Sequence, residues 1–576
     1  MPSASVPTPL SRSASPSSVS PGLVTWLCAT AMIVIQVYIV FIAYDFEGPK
    51  WLAHFADDLL YYVVPAQNFV ETGRSSFDGI TLTNGYHPLW FVVNAALALV
   101  FDPTKGAYFA AVLAISSGLC LMGMAGVRQL LRAAAPRVTF VETISFLYFA
   151  SAFLISRDGM ETALVVGLVP WWLVMAVHLW RRPADNAVLF GFGLLGSLVV
   201  LSRLDTVTLA LPVGAALVLN WWRRTDGIEA IRRALVTTSG TFLLPIYLGL
   251  NQFVFGTWLP VSGMSKGLVT EPGFAFWVID QLFLHGLRTG ERFPFWPSVG
   301  AVAALALLTK PPVRRKVHPV LVASLVFPFL FYFVTAARSD WPMWSWYFFP
   351  IVIALPATMV VLAAAWPMRR MAGPWMARLD VVCVLLLLAI HVPERLRQAD
   401  ALPPAMDSLF LAPYDLEAFA ARHPGVYAMG DRAGKVGLLF SQMDRPLIQL
   451  EGLAADRAMV EAIAAEEDLL DVLHRYDVDY YIGTDLAMDE DGCWQATEPA
   501  NLPGARVPRM RTLLCDNPVL NMTHTGADGS FSTQIFRVTR TEYPDEEPLV
   551  DSGPVTEDET VEDLIGPEAA AEAEAG

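Results

Sequence analysis

The chain has little charge and less cysteine. Only 16% of its 576 residues are Asp, Glu, Lys or Arg, while 54% are hydrophobic and the mean hydropathy is +0.45. A soluble domain carries roughly 25% charge, so an ordinary water-soluble enzyme is excluded. Basic residues are missing altogether from 541–576, where thirteen acids lie. Those acids account for most of the net charge of −16 and leave the rest of the chain near −3. This end reads as a solvated, disordered tail. The five cysteines form no CxxC and no Cys/His spacing, so they give no metal signal. Cys28, Cys120 and Cys383 lie in apolar runs as packing residues, whereas Cys493 and Cys515 lie in a polar region where a disulfide is plausible outside the cytoplasm.

What the chain has in plenty is apolar runs of bilayer length. Residues 1–22 are rich in Ser and Pro with one basic residue, Arg12, and are expected to be disordered and cytoplasmic. Leu23–Ala43 reads as an uncleaved first membrane helix. Further runs lie near 88–101, 107–127, 138–156, 163–180, 186–201, 205–221, 234–254, 297–309, 318–336, 345–365 and 378–391, making twelve candidates. Basic clusters at Arg181/Arg182, 221–233, 310–318 and 368–370 mark cytoplasmic loops by the positive-inside rule. That orientation puts loop 44–88 and everything after about 392 outside. Ends on opposite sides need an odd number of crossings, so the twelve are in conflict with it. The expectation is 11–13 helices, with 88–101 (short for a span) and 274–286 as the ambiguous segments.

The loop from Trp51 to Trp90 is the most informative stretch. It is largely polar, starts with the adjacent acids Asp57 and Asp58, and ends in TNGYHPLW with His87 at the mouth of the next apolar run. Acids at a membrane surface are costly to desolvate and point to function, although acids also favour the first turn of a helix for plain capping reasons. Four other linkers fall on the same outer side. These are ISRDGMET with Arg157, Asp158 and Glu161, LSRLDT with Arg203 and Asp205, FGTWLPVSGMSKG with Lys266, and RSDWPMWSWY with Arg338 and Asp340. Each alone could be an interface anchor. Together they favour a site for an anionic headgroup.

Residues 400–540 lack long apolar blocks. Short strand patterns at 425–431, 445–450, 479–483 and 531–539 alternate with a helical pattern at 459–476, which predicts a small extracytoplasmic α/β domain. GDRAGKVG invites a phosphate-loop reading but matches neither the Walker nor the dinucleotide spacing, so it is read as a turn and no nucleotide site is assigned.

The acid pair followed by TNGYHPLW resembles the first outer loop of the GT-C class of integral membrane glycosyltransferases. DGMETAL (158–164), SRLD (202–205), LPVSGMSK (259–266) and DRPLIQLEGL (444–453) resemble segments of an uncharacterised branch of that class. The resemblance covers most of 23–455. It implies a GT-C transmembrane domain over 23–392 and a hexosyl- or pentosyltransferase, with inversion by direct displacement. The implied donor is a polyprenyl-phosphate sugar. The acceptor would be a cell-envelope glycan, lipid or protein, and some relatives use a divalent cation. Such a donor already carries its leaving group, so the enzyme needs a base for the acceptor hydroxyl and cations for the departing phosphate. The resemblance implies Asp57 as the general base. Adjacent helical residues diverge by about 100°, so Asp58 would orient a neighbour or the acceptor. Lys266 and His87, then Arg203, Arg338 and Arg157, are the candidates for the donor phosphate. Besides donor and acceptor the partners are membrane lipids, and no nucleic acid is expected. The alternatives are a lipid or polyisoprenoid transporter, disfavoured because the loop pattern has no second copy, and a non-catalytic assembly partner.

Overall fold

A computed structural model describes residues 20–41, 49–181, 185–284, 293–366, 374–500, 502, 504–526 and 529–538. The expected disordered segments at 1–22 and 541–576 lie outside these residues, except that Pro21 and Gly22 already belong to the first helix, Pro21–Phe41.

Each of the twelve apolar segments falls on a helix. Among the described residues, seven helices are long and apolar enough to cross a membrane, and the bent pair Gly227–Ser239 and Leu243–Phe255 makes an eighth if it is one span. Four apolar helices are shorter: Pro88–Ala98, Val141–Ser156, Asn186–Ser202 and Phe295–Leu308. The shortest has 11 residues. At 1.5 Å per residue it is about 16 Å long, roughly half a hydrocarbon core. Segment 274–286, the other ambiguous one, contains a single turn, Trp277–Ile279, followed by a π-turn at Asp280–Leu284, and is no span among the described residues.

The last membrane helix does not stop near 392 as the apolar run suggested. Pro374–Arg422 is continuous over 49 residues, about 74 Å at helical rise. Its apolar part, Trp375–Pro393, suits a bilayer. Its far end enters the C-terminal domain, where Leu416, Phe419 and Ala420 are buried.

That domain is α/β, as its alternating pattern predicted. A five-stranded sheet has the order β2 (Leu447–Gln449), β1 (Tyr427–Met429), β3 (Tyr480–Thr484), β8 (Gly529–Arg537), β7 (Leu520–Gly526). β1 pairs in parallel with β2 and β3, and β8 is antiparallel to β3 and β7. A second antiparallel sheet comprises β4 (Ala487–Met488), β5 (Trp494–Glu498) and β6 (Met510–Leu514). Cys493 and Cys515 form a disulfide across the open end of the β5–β6 pair. The single helix read at 459–476 is two, Arg457–Ala464 and Leu469–Arg475, broken where Glu466 takes a φ of 50°.

Apolar burial joins this domain to the loop between the first two apolar segments. Leu59, Tyr61, Phe77, Tyr86 and Trp90 from the loop share one core with Leu416, Phe419, Tyr427, Val436, Phe440 and Leu453. Burying a large side chain of this kind contributes about 1.5–3 kcal/mol. The loop therefore has a fixed roof, and the acids at its start are held rigidly.

Candidate functional site

The acid pair opens helix Asp57–Thr72, whose buried stretch runs from Leu59 to Ala66. Acids in a first turn suit the positive end of the helix dipole. The two carboxylates nevertheless go to different places.

Asp58 faces a cleft lined also by Tyr61, Tyr62, His87, Glu161, Arg203, Lys266 and Tyr347. Its carboxylate lies 3.9 Å from Lys266 Nζ, and that ammonium donates to the Tyr347 hydroxyl at 3.1 Å. Burial raises the Asp58 pKa from 3.8 to about 6, against the pull of Lys266 and with help from Asp57 and Glu161. The result is a carboxylate that is still ionised at neutral pH but more basic than usual. Burial lowers the Lys266 pKa, but Tyr347 and Asp58 outweigh it and hold the ammonium charged.

Below this pair lies a tighter network. Arg203 donates to Glu161 at 2.5 Å and to Asp205 at 2.9 Å, and its guanidinium stacks over the rings of Tyr347 (4.5 Å) and Phe349 (4.9 Å). Glu161 also accepts from the Tyr62 hydroxyl at 3.0 Å and lies 3.8 Å from His87 Nε2. Burial acts to raise the Glu161 pKa, yet the Arg203 guanidinium outweighs it and holds it below the usual value. His87 Nδ1 accepts from the Leu204 backbone N–H at 3.4 Å, which leaves its proton on Nε2. Burial lowers the His87 pKa, so a neutral ring is favoured.

The segments that carried the motif resemblance build this cleft together. Asn84 accepts from Val261 N and donates to Thr257, tying TNGYHPLW to FGTWLPVSGMSK. Ser265 donates to the Glu451 carbonyl at 2.6 Å, and a Cβ on Gly85 would collide with the Leu453 carbonyl. Glycine is needed at 85 for that approach.

Asp57 points away from the cleft. Its two oxygens accept from the backbone N–H groups of Gly434 (2.8 Å) and Lys435 (2.9 Å), at the start of helix Ala433–Ser441. GDRAGKVG, read as a turn, is instead a short turn leading into this helix, and its N–H groups bind an anion that is a side chain of this protein. Arg157 lies outside the cleft, 3.5 Å from Asp158 and beside a groove between membrane helices. Arg338, at the end of Pro319–Arg338, is exposed and lines none of the cleft. Its neighbour Asp340 instead pairs with Arg506 of the α/β domain at 3.0 Å.

Of the seven sequence candidates, the structure brings together Asp58, His87, Arg203 and Lys266, and leaves out Asp57, Arg157 and Arg338. Glu161 stood out in the sequence only as one charge in ISRDGMET. Tyr62 and Tyr347 were not singled out, although Tyr347 closes the linker RSDWPMWSWY and Tyr62 follows the acid pair. Among the described residues no group of three or more His, Cys, Asp or Glu is arranged to hold a metal ion. Glu161, the acid best placed to join Asp58, is already engaged by Arg203 and Tyr62. This donor set does not fit the divalent cation that the resemblance allowed.

No known family profile matches the chain, and no curated protein matches it. Solved structures do. The chain is similar to the archaeal oligosaccharyltransferase AglB from Archaeoglobus fulgidus, solved with an inhibitory peptide and a dolichol-phosphate, at 11% identity and a TM-score of 0.43, over 80% of this chain and 69% of that one. It is also similar to ArnT from Cupriavidus metallidurans bound to undecaprenyl phosphate, at 14% identity and a TM-score of 0.39, over 78% of each chain.

Proposed function

We propose that the chain is a membrane glycosyltransferase that moves a sugar from a polyprenyl-phosphate carrier to a cell-envelope glycan, lipid or protein on the outer face. The motif resemblance supports the reaction class. One observation carries the assignment to this cleft: a basic carboxylate, Asp58, and a charged ammonium, Lys266, meet from segments 208 residues apart, 3.9 Å from each other. Group transfer from a phosphate carrier needs that pair of functions.

In the proposed step the acceptor oxygen attacks the anomeric carbon and its proton passes to Asp58. The bond from that carbon to the carrier phosphate breaks, and the phosphate leaves with both electrons toward Lys266. Attack opposite the leaving group inverts the anomeric centre, which requires the substrates to enter between Asp58 and Lys266 and widen their 3.9 Å separation, and the transferred unit is a hexose or pentose. His87 offers an Nε2–H to the donor, and Arg203 contributes mainly by fixing Glu161 and Tyr347. Asp58 takes the role that the resemblance implied for Asp57, because both Asp57 oxygens are already hydrogen-bonded.

The basic clusters support an outer-face location. The 11-residue helix at 88–98 is compatible with it: set aside as a partial insertion, it leaves eleven of the twelve apolar segments of the sequence, the odd number this orientation needs, provided that the three other short helices also cross.

Deleting the gene and profiling the cell-envelope glycans tests the proposal. One glycan should lose a sugar, restored by wild type and not by Asp58→Asn. An unchanged glycan profile in the deletion strain, or full restoration by Asp58→Asn, would contradict it.

A further inference from the structure

We infer that Asp57 is a positioning residue, a carboxylate latch that seats the α/β domain over the cleft and thereby sets the aim of Asp58. The inference rests on the function proposed above for the base, but not for the latch itself.

Three observations point to it. Both oxygens of Asp57 are taken by consecutive backbone N–H groups of a nine-residue helix in a different part of the fold, 377 and 378 residues away. Hydrogen bonds from N–H groups to an ionised carboxylate are among the stronger ones, and the helix N-terminus adds its dipole. The helix comes too close for any side chain at its second position, because a Cβ on Gly434 would collide with the Asp57 backbone oxygen as well as its carboxylate. The contact is therefore shaped for this fit from both sides. Finally, Asp57 and Asp58 are consecutive residues of one rigid helical turn, so a shift at one is passed to the other. A misplacement of about 1 Å can cost roughly a hundredfold in rate.

The domain has other ties, including Arg506 to Asp340 and Ser265 to the Glu451 carbonyl. Loss of the latch should loosen the helix locally and leave the domain folded.

Two variants break the latch from opposite sides. Asp57→Asn replaces one acceptor oxygen by a donor, and Gly434→Ala forces the helix away while leaving Asp57 intact. Hydrogen exchange of the Ala433–Ser441 segment in purified full-length protein reads the latch without any substrate. Glycan restoration in the deletion strain reads transfer.

The expected result is faster exchange in that segment for both variants, with transfer lowered roughly ten- to hundredfold in each. Asp58→Asn should leave the exchange as in wild type. The pH profile separates positioning from simple unfolding. Asp57 helps keep the Asp58 pKa high, so Asp57→Asn should move the acid limb of transfer in membrane vesicles to lower pH, and Gly434→Ala should not. If Asp57→Asn abolishes transfer while its exchange stays wild type, Asp57 is the base and the latch is overturned. If Gly434→Ala leaves both readouts unchanged, the latch is also overturned. Full activity in Asp58→Asn would remove the proposed base and leave the exchange result to judge the latch alone.

Discussion

The floor and the rim of the cleft hold similar residues in opposite states. On the floor, the Glu161 and Arg203 side chains are 1% and 3% exposed, and each has more than one charged or hydrogen-bonding partner. On the rim, Asp58 and Lys266 are 22% and 25% exposed, and they lie 3.9 Å apart, too far for a hydrogen bond. The buried Glu161–Arg203 pair is committed first to its own partners, which suits it to positioning. A looser, partly open pair has bonding capacity to spare, which suits it to the reacting and binding roles proposed for it. Charge type alone does not separate the two roles; partner count does.

Removing the rim acid is expected to have the largest effect. Asp58→Asn should lower transfer by about 10²–10⁴, the usual contribution of a general base, while the protein still inserts and folds. Its thermal stability should match or exceed wild type at pH 7. The Asp58 pKa is raised on folding, so the stability tied to its protonated form is present below pH 3.8 and lost as pH rises toward about 6. Asparagine has no such loss.

Breaking the floor should cost stability first. Arg203→Met leaves Glu161 as a buried charge without its main partner, a defect of about 3–5 kcal/mol. A drop in melting temperature measured in detergent, together with lower expression, would bear this out; an unchanged melting temperature would show that the floor is less coupled than its geometry suggests.

Lys266 sharpens the comparison. Lys266→Ala should raise the donor's apparent KM, and Lys266→Arg should recover part of it, because charge is kept while the compact ammonium is lost. Transfer rate against donor concentration checks the order wild type, arginine, alanine. If Lys266 only anchors the chain at the interface, the donor KM will stay where it was.

The two arginines outside the cleft should matter least. Arg338→Ala is a substitution at an exposed helix end and should stay within about 0.5 kcal/mol of wild type in stability, with transfer within about twofold. A larger loss of transfer would place Arg338 back among the donor ligands.

The parts legible in the sequence were those set by local patterns. Bilayer-length apolar runs gave the helices, and alternation gave the strands at 427–429, 447–449 and 480–484. His87 and Lys266 stood out because Gly and Pro shape the turns around them. The assignment of the two acids was not legible. A 100° step between neighbours says that Asp57 and Asp58 diverge, but not which one meets the cleft. That depended on a helix start at Gly434, far along the chain. That Arg157 and Arg338 lie outside the cleft was not legible for the same reason, since a charge at a helix end can face inward or outward with one sequence. The long helix to Arg422 was cut short because the apolar run that marked it ends near 391, while the helix continues through a more polar stretch.

The central claim is that Asp58, and not Asp57, takes the acceptor proton. The most direct measurement compares the transfer rates of Asp58→Asn and Asp57→Asn in the same membranes at one pH near 7.5, normalised to protein amount. The account expects Asp58→Asn to be the slower by a factor of ten or more, with Asp57→Asn retaining transfer that can be measured. The reverse order, with Asp57→Asn inactive and Asp58→Asn close to wild type, would contradict it.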